Sequence, residues 1–546
     1  MYTPARGYFH MKHYVKQSAL AVLFLFSATC SLAQTTAAAI TCAPHAPPSR
    51  TEATRALAAA DYGQAETLFT AQLAATPSEA AYAGLVQSQI ELNKVTEALA
   101  TAKQSVTAYP ASAKTQTALG DAEFRASNLD AARDAYLAAR KLDPCFARAH
   151  FGSARLLELS SMHASAQKEL IFAHKLAVAD SDISEALFAT LPPALHAKGY
   201  RNLLASTPDM SVARRQRLEQ EAALLEAGMT CVAQNPISRP TRVEFTPIQY
   251  GGDSLRDWAL HASFGPKKSI DLEIDSTVSG IILSETAASR LAVTPAIPGQ
   301  TKAPYLASVE NLQLADLHFS RCPVRVVPDA ELPHSQSVIG TDFFRGSLIN
   351  LNWAGRFMTL SPYTTASGAV PLDAAIPDSE REWAHVIVNG HRLLFATAIN
   401  KQPTGLFLYD TAYSPTIISP PIAARLAPKP DLSAPVDGYS GASVRFFYKD
   451  GIPINRPDIL DTNGKLLKVT RPQTFTIFRF AGNEYPDKNT YTFDISGSSH
   501  AAGIEVAGIF GLTVMREYFT DIDYRNGLMQ MKLDRSFYLR DGSPIH

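Results

Sequence analysis

The sequence lacks an excess of charge of either sign. Its 50 Lys and Arg residues are balanced by 51 Asp and Glu residues, which leaves a formal net charge of −1. Proteins that gather DNA, RNA or an acidic membrane surface through their field carry a strong basic excess, and this chain has none. We therefore expect no nucleic-acid partner.

The sequence also lacks the usual motifs of metallopeptidases and of ordinary serine hydrolases. Its 14 histidines are scattered, and neither His-Glu-x-x-His nor Gly-x-Ser-x-Gly occurs. Residues Gly252–Leu255 do spell the nucleophile block of a lipase and esterase family, but a turn is the simpler interpretation of this segment. Cysteine is scarce, with five in the chain, and no two are spaced like the ligands of a zinc site. We therefore expect neither a metal nor a cofactor.

Long apolar runs are equally scarce. The run near the N-terminus, Ala19–Phe26, follows two lysines and precedes the small residues Ser31–Ala33. That order predicts a secretory signal peptide over residues 1–33, with Met11 as an alternative start. No later run reaches about 18 apolar residues, so the sequence predicts no stable membrane span. We expect export, with the mature protein periplasmic or secreted.

Cleavage of that leader would leave four cysteines, which are Cys42, Cys145, Cys231 and Cys322. In an oxidising compartment four cysteines allow three sets of two disulfides, and the sequence does not distinguish among them. Buried free thiols are an equally good interpretation of these four residues.

A helical repeat follows a linker predicted at residues 34–50. Pro77, Pro110 and Pro144 close successive Ala-rich units and lie 33 and 34 residues apart. A fixed period of this length is the signature of a repeat architecture in which each unit is a helix pair. The period predicts a helical domain over residues 51–233.

The clearest unit of this repeat spans residues 117–144. It places small residues where two helices would approach and bulky ones where the space between repeats must be filled. The small residues are Gly120, Ala132 and Ala139, and the bulky ones are Phe124 and Tyr136. This pattern resembles the tetratricopeptide repeat, which implies an all-α solenoid. Such solenoids bind protein partners on a concave face, or they serve as a support packed on a neighbouring domain.

Beyond a Pro-bearing linker at residues 234–242 the pattern changes to short strands and glycine turns, which predicts a mostly β half.

Two stretches of this half match one another, Ile270–Ala292 and Gly405–Ala427. Each places an aspartate after an apolar run and then enters a short helix that ends in Arg-Leu-Ala. In register, Asp275 aligns with Asp410 and Ser276 aligns with Thr411.

The match continues beyond the aspartates. Ile339–Gly340 corresponds to Phe510–Gly511, and each pair is followed by a strand, a turn and a second strand. A hairpin also precedes each aspartate. Because the same order of elements occurs twice, the sequence predicts two homologous lobes, at residues 243–364 and 365–546.

The duplicated half resembles the aspartic proteases of the pepsin and retropepsin kind, especially bacterial retropepsin-like domains preceded by tetratricopeptide repeats. The resemblance implies an all-β, two-lobed double-ψ barrel fold. It implies that Asp275 and Asp410 form a catalytic pair, one from each lobe. It also implies supporting roles for the loop hydroxyls and for the glycine strands behind the loops, which are Ser276, Thr411, Gly340 and Gly511.

Paired aspartates of this kind suit hydrolysis of a peptide bond. Two carboxyl groups that share one site cannot both ionise cheaply, so one keeps its proton and the pair titrates as a unit. The ionised member can take a proton from a water while the protonated member polarises the substrate carbonyl. The expected function is therefore an exported aspartic-type endopeptidase whose substrate is a protein or peptide.

The sequence departs from the family pattern at the third residue of each aspartate loop. Glycine is expected there, but the residues are Thr277 and Ala412. A side chain at this position threatens to crowd the two loops, and β-branched threonine more than alanine. The alternative is therefore a catalytically impaired homologue that binds peptides or proteins as a scaffold together with its helical repeats.

Two segments are candidates for covering the cleft. The first is a flap near Thr301–Val309 with Tyr305 at its tip, although an ordinary loop tyrosine is the simpler interpretation. The second is the longer stretch Asp431–Gly503, which contains Tyr439–Gly441 and Phe446–Tyr448. Loops positioned over a rigid scaffold commonly shape specificity.

Overall fold

A computed structural model of the chain shows a helical N-terminal half followed by a β-rich C-terminal half. It describes residues 42–44, 50–249, 256–332, 337–363, 382–412, 416–426, 476–487, 490–492 and 494–534, and four two-residue strands between 448 and 467. The predicted signal peptide lies outside these residues. None of the helices in the described ranges combines the length and the apolar character needed to cross a bilayer.

The helical half follows the predicted period. Helices α3, α5, α7 and α9 begin at Glu79, Ala113, Ala147 and Ser181, so each starts 34 residues after the one before. The bounds in this half are α1 Glu52–Ala58, α2 Tyr62–Ala75, α3 Glu79–Glu91, α4 Val95–Ala108, α5 Ala113–Arg125, α6 Leu129–Leu142, α7 Ala147–Leu159, α8 His163–Leu176, α9 Ser181–Ala189, α10 Pro193–Ser206 and α11 Val212–Glu226. The prediction of a tetratricopeptide-like solenoid is confirmed.

Local sequence explains where these helices begin. Ser78 and Ser112, which follow Pro77 and Pro110, accept hydrogen bonds from the first-turn amides of α3 and α5. Such caps satisfy amides that have no partner within the helix, and each contributes about 1 kcal/mol. The starts of α3 and α5 are therefore specified locally, within their own repeats.

Packing between repeats depends on one aromatic ring and two glycines. The ring of Tyr136 in α6 is fully buried against Gly120 of α5 and Gly152 of α7, and a Cβ at either glycine would overlap it. The Tyr136 hydroxyl donates to Asp121 Oδ1 at 2.8 Å. The prediction that small residues let these helices approach while Tyr136 fills the space between repeats is confirmed.

The β-rich half contains two units, here called lobe 1 (β2–β13) and lobe 2 (β14–β28). The strands of lobe 1, preceded by β1 Val232–Ala233, are β2 Thr241–Gln249, β3 Arg256–Ser263, β4 Ser269–Ile274, β5 Ile281–Ser284, β6 Thr294–Pro295, β7 Tyr305–Val309, β8 Leu312–Leu314, β9 Leu317–Ser320, β10 Cys322–Val327, β11 Ser337–Ile339, β12 Leu348–Asn352 and β13 Phe357–Ser361. Its helix α12 spans Glu285–Leu291.

Lobe 2 repeats this sequence of elements with a longer connection. Its strands are β14 Ala384–His385, β15 Ile387–Asn389, β16 Arg392–Ile399, β17 Gln402–Tyr409, β18 Ile417–Ile418, β19 Tyr448–Lys449, β20 Ile452–Pro453, β21 Ile459–Leu460, β22 Leu466–Leu467, β23 Thr476–Phe480, β24 Asn483–Asp487, β25 Tyr491–Thr492, β26 Gly508–Phe510, β27 Tyr518–Asp523 and β28 Leu528–Leu533. Its helices are α13 Pro420–Leu426, α14 Ser496–Ala502 and α15 Leu512–Met515.

Strand pairing around the two aspartate strands is the same in both lobes. In lobe 1, β11 runs parallel to β4 and antiparallel to β5, and β5 runs parallel to β10. In lobe 2, β26 runs parallel to β17 and antiparallel to β18, and β18 runs parallel to β25. The duplication read from the sequence is therefore present in the sheet topology.

The final hairpins of the two lobes join into one sheet. Six strands lie in the order β14-β28-β27-β12-β13-β2, with β12 of lobe 1 directly beside β27 of lobe 2. At this junction Asn350 Nδ2 donates to Asp521 Oδ1 at 2.7 Å. The hairpin β12–β13 of lobe 1 corresponds to the hairpin β27–β28 of lobe 2, and the two lie in mirrored order on either side of the junction. The shared sheet therefore fixes the position of one lobe against the other.

The helical half is attached to both lobes. Phe124 and Leu159, at the ends of α5 and α7, pack into one buried cluster with Leu406 and Leu408 of β17. On the other side, Gln220 of α11 accepts a hydrogen bond from the amide of Leu306 at 3.1 Å. The solenoid is therefore a packed support for the β half.

The structure pairs the four cysteines as Cys42–Cys145 and Cys231–Cys322. The first disulfide joins the segment before α1 to the turn before α7. The second joins the segment after α11 to β10, so it links the helical half covalently to lobe 1. The interpretation as free thiols was wrong for this structure.

The domain boundaries drawn from the sequence stay a prediction. Residues Cys42–His546 form one compact unit by their contacts, so the contacts do not divide this range into domains.

Candidate functional site

Asp275 and Asp410 occupy equivalent places at the ends of β4 and β17. The amide of Asp275 donates to the carbonyl of Ile339 at 3.0 Å, and the amide of Asp410 donates to the carbonyl of Phe510 at 3.0 Å. Both side chains are half-buried. Each aspartate is thus fixed by the strand that carries the hydrophobic-glycine pair of its own lobe.

Ser276 and Thr411 connect the two aspartate loops to one another. The amide of Ser276 donates to Thr411 Oγ1 at 2.9 Å, and the amide of Thr411 donates to Ser276 Oγ at 3.1 Å. In turn, Ser276 Oγ donates to the carbonyl of Tyr409 at 2.8 Å, and Thr411 Oγ1 donates to the carbonyl of Ile274 at 2.9 Å. Ser276 and Thr411 are 1% and 3% exposed, so four buried hydrogen bonds hold the loops face to face.

The residue after each hydroxyl contacts the carboxylate of its own loop. The amide of Thr277 donates to Asp275 Oδ1 at 2.8 Å, and the amide of Ala412 donates to Asp410 Oδ1 at 3.1 Å. Thr277 Oγ1 also donates to Asp275 Oδ1, at 2.6 Å. The threonine hydroxyl therefore lies against the carboxylate of its own lobe.

Gly340 lies where a side chain would collide with the aspartate loop. Its amide donates to the carbonyl of Gly280 at 2.7 Å, and a Cβ at this position would overlap the carbonyl of Val278 and the carboxylate of Asp342. Gly511 is buried and precedes α15 in the same way that Gly340 precedes the short 3-10 helix Thr341–Phe344 of lobe 1. Ser276 and Thr411 therefore bring the two loops together, and Gly340 packs behind the loop of Asp275.

Asp342 was not recognised from the sequence. Its carboxylate is 9% exposed and accepts hydrogen bonds from Ser279 Oγ at 2.8 Å and from the amide of Gly280 at 2.9 Å. It therefore holds the second half of the Asp275 loop. The signal available was an acidic residue two positions after Gly340, where lobe 2 has Thr513.

His391 is a second residue that sequence reasoning missed. Its Nε2 lies 2.6 Å from the carbonyl of Thr277, and because a carbonyl only accepts, Nε2 carries the proton. Burial lowers the pKa of His391, and the neighbouring Arg392 lowers it further. The Tyr524 hydroxyl donates to the carbonyl of His391 at 3.2 Å. A histidine of lobe 2 thus supports the aspartate loop of lobe 1.

Arg392, the first residue of β16, interacts electrostatically with Asp275. Burial lowers the pKa of its guanidinium, and the carboxylate of Asp275 opposes that shift. Within the described ranges, no group of three or more His, Cys, Asp or Glu side chains is arranged to hold a metal ion. The groups at this site are two carboxyl groups, the hydroxyls of Ser276, Thr411 and Thr277, and the guanidinium of Arg392.

The prediction of a flap with Tyr305 at its tip was wrong. Tyr305 begins β7, pairs with Val326 of β10, and is 8% exposed within the core of lobe 1. The apolar residues Tyr305, Ala307 and Val309 alternate along this segment and are buried in the core of lobe 1. Their burial stabilises the segment as a strand of the sheet. Tyr439–Gly441, Phe446 and Phe447 lie outside the described residues.

Several solved structures are similar to about a third of this chain. They include a thermophilic TPR protein of Thermus thermophilus (20% identity, 31% of this chain and 94% of that chain, TM-score 0.27) and pilF of Pseudomonas aeruginosa (18% identity, 28% and 68%, TM-score 0.24). MamA is similar at 16% identity over 33% of this chain and 98% of its own, with a TM-score of 0.20. Identities of 16–20% with TM-scores of 0.20–0.27 are too low to support an argument about function. No family model and no curated protein matches the chain.

Proposed function

We propose that the protein is an exported aspartic-type endopeptidase that hydrolyses peptide bonds with a water held between Asp275 and Asp410. The observation that carries the proposal is the reciprocal hydrogen bonding of Ser276 and Thr411. It sets two loops of matched conformation against each other, with one half-buried carboxyl group on each. Export rests on the leader pattern of the sequence alone.

The proposed reaction uses the pair as one acid and one base. When one carboxyl group is ionised and the other protonated, the ionised one takes a proton from the water as it attacks the substrate carbonyl. The protonated one donates a hydrogen bond to the carbonyl oxygen, where negative charge develops. Because the buried cross-link of Ser276 and Thr411 fixes both loops before substrate arrives, little reorganisation is needed at the moment of reaction.

A peptide-library digestion between pH 3 and pH 8 tests this proposal. We expect cleavage with an acid optimum, inhibition by a statine-type compound, and loss of cleavage in both Asp275→Asn and Asp410→Asn. The matched control is Asp271→Asn on the same strand, since the Asp271 side chain is 43% exposed and pairs with His261. Cleavage that survives substitution of both Asp275 and Asp410 would overturn the assignment.

A second candidate is a peptide-binding scaffold without catalysis. It is favoured by the side chains of Thr277 and Ala412, which stand where the family pattern has glycine. This alternative predicts no cleavage of the same library at any pH tested. It also predicts peptide binding that tolerates Asp275→Asn or Asp410→Asn, whereas a catalytic pair predicts that binding of a statine-type inhibitor requires both carboxyl groups.

We also propose a supporting role for the helical half in either function. Leu406 and Leu408 of β17 lie within four residues of Asp410 and pack against Phe124 and Leu159 of the solenoid. Helices that cover the outer face of this strand stabilise the loop at its end. A protein partner for the remaining surface of the repeats is a proposal of the same kind, and co-purification with full-length protein would test it.

A further inference from the structure

Two arginines from different lobes lie close to one another beside the Asp275 loop. Arg392 begins β16 of lobe 2, and its guanidinium interacts electrostatically with Asp275 and with Arg325 of lobe 1. The residue before it, His391, lies with Nε2 2.6 Å from the carbonyl of Thr277, which fixes the start of β16 against that loop. The guanidinium of Arg392 is therefore directed across the junction of the lobes, toward the carboxyl group at the end of β4.

Arg325 lies on the face of the lobe 1 sheet that adjoins the same loop. Its neighbours on either side in β10 are buried in the core of lobe 1, whereas Arg325 itself is exposed. It is the register partner of Ile282 in β5, and Ile282 is in turn the partner of Val338 in β11. Ile282 and Val338 form a small apolar cluster with Val278 of the aspartate loop. This row of side chains thus leads from an exposed cation to the loop that carries the carboxyl group.

The two guanidiniums lack a carboxylate of their own. Neither of them forms an ion pair among the residues that the structure describes. Asp342 and Asp329, the acidic residues that follow β11 and β10, accept hydrogen bonds from hydroxyls of their own lobe. Burial lowers the pKa of the Arg392 guanidinium, Asp275 opposes that shift, and repulsion from Arg325 adds to it. An anion placed beside both guanidiniums would offset this repulsion.

We propose that Arg325 and Arg392 form a subsite that selects peptides with a glutamate or aspartate side chain near the bond held at Asp275 and Asp410. The proposal rests on the proposed function, since it requires a peptide in the cleft between the two loops. A guanidinium binds a carboxylate through two parallel hydrogen bonds, which gives both affinity and orientation. Because one arginine comes from each lobe, an acidic side chain of the peptide contacts both lobes at once.

Matched peptides that differ in one charge test the selectivity of the full-length protein. Each position around the cleaved bond of a fluorogenic peptide is varied in turn between Glu and Gln. The assay is run at about pH 5.5, where a glutamate with its ordinary pKa of about 4.3 is ionised. At one position we expect kcat/KM for the Glu peptide to exceed that for the Gln peptide at least about tenfold, because a hydrogen bond to a charged group contributes that much.

Arg325→Gln and Arg392→Gln, made singly and together, connect this selectivity to the two guanidiniums. Glutamine keeps an amide donor and removes the charge, so we expect the Glu-to-Gln ratio to fall in each single variant and to approach one in the double variant. Arg321→Gln is the matched control, since Arg321 is exposed and directly precedes β10, and it should keep the parental ratio. A purely structural role of the two arginines would lower cleavage of both peptides alike and leave their ratio unchanged.

The outcomes separate the subsite from the endopeptidase proposal. If no peptide is cleaved, an arrayed library of the same Glu and Gln pairs measures binding. A Glu preference in binding that Arg325→Gln with Arg392→Gln abolishes would support the subsite and overturn the endopeptidase proposal. Cleavage without a Glu preference at any position, or a preference that every folded variant retains undiminished, would overturn the subsite alone. The absence of both cleavage and binding would overturn both proposals.

Discussion

Arg125 of α5 and Glu505 of lobe 2 are joined twice. Arg125 Nη1 lies 3.1 Å from Glu505 Oε2, and the amide of Glu505 donates to the carbonyl of Arg125 at 2.8 Å. The guanidinium is 4% exposed and also contacts Asn93, whereas the Glu505 side chain is 43% exposed. This junction orients the solenoid on the lobe that carries Asp410.

Substitution at this junction should destabilise the whole chain. Arg125→Met keeps the apolar stem but removes the donors that serve Glu505 and Asn93. We expect a loss of about 1–3 kcal/mol in the free energy of unfolding, measured with urea, because one partner of a partly buried charge pair is left behind. Arg133→Met on α6 is the control, since its pair with Asp130 is exposed and should contribute less than about 0.5 kcal/mol. Equal losses in the two variants would contradict this account.

The loop cross-link should respond to loss of a single hydroxyl. Thr411→Val leaves the buried amide of Ser276 and the buried carbonyl of Ile274 without the partner they now have. Each such loss costs about 1–3 kcal/mol, so we expect a total of about 2–6 kcal/mol in unfolding and a large loss of any peptidase activity. Thr411→Ser retains the hydroxyl and should stay within about 1 kcal/mol of the parent. A Val variant as stable as the Ser variant would argue against the cross-link.

Substitution of alanine for glycine at two helical positions should change the stability of the protein in opposite directions. Gly152→Ala would force a Cβ into the ring of Tyr136, and overpacking of this kind costs about 1–3 kcal/mol. Gly63→Ala on α2 meets no atom within 4 Å, so the better helix propensity of alanine should stabilise by up to about 1 kcal/mol. Thermal unfolding of both variants measures the difference. A stabilised Gly152→Ala would contradict the packing of Tyr136 between repeats.

His391 should make stability depend on pH. Burial, with Arg392 second, lowers its pKa in the folded state below the ordinary value of 6.5. The folded protein therefore binds fewer protons than the unfolded chain, so this contribution is complete above about pH 6.5 and is lost as the pH falls toward the lowered pKa. His391→Gln keeps an amide donor for the carbonyl of Thr277 and does not titrate. The unfolding free energy of the parent minus that of His391→Gln should fall as the pH is lowered across pH 4–8. A difference that does not change with pH would contradict this account.

Much of the architecture could be predicted because it is specified locally and then repeated. The period of the helical half follows from turn prolines, serine caps and small residues, each of which acts within one or two turns of helix. The two aspartate units were recognisable because the same order of strand, aspartate, hydroxyl and apolar pair occurs twice. The roles of Asp275 and Asp410, the leader at residues 1–33 and the domain boundaries stay predictions.

What the sequence by itself determined is the set of units: a 34-residue helical repeat, two matched aspartate loops and the glycines behind them. Only the tertiary structure decided how these units meet. The pairing of the cysteines, the burial of Tyr305, the support of Thr277 by His391 and the docking of the solenoid on β17 all join residues far apart in the chain. Such contacts depend on how complete surfaces pack, and no local pattern encodes that packing.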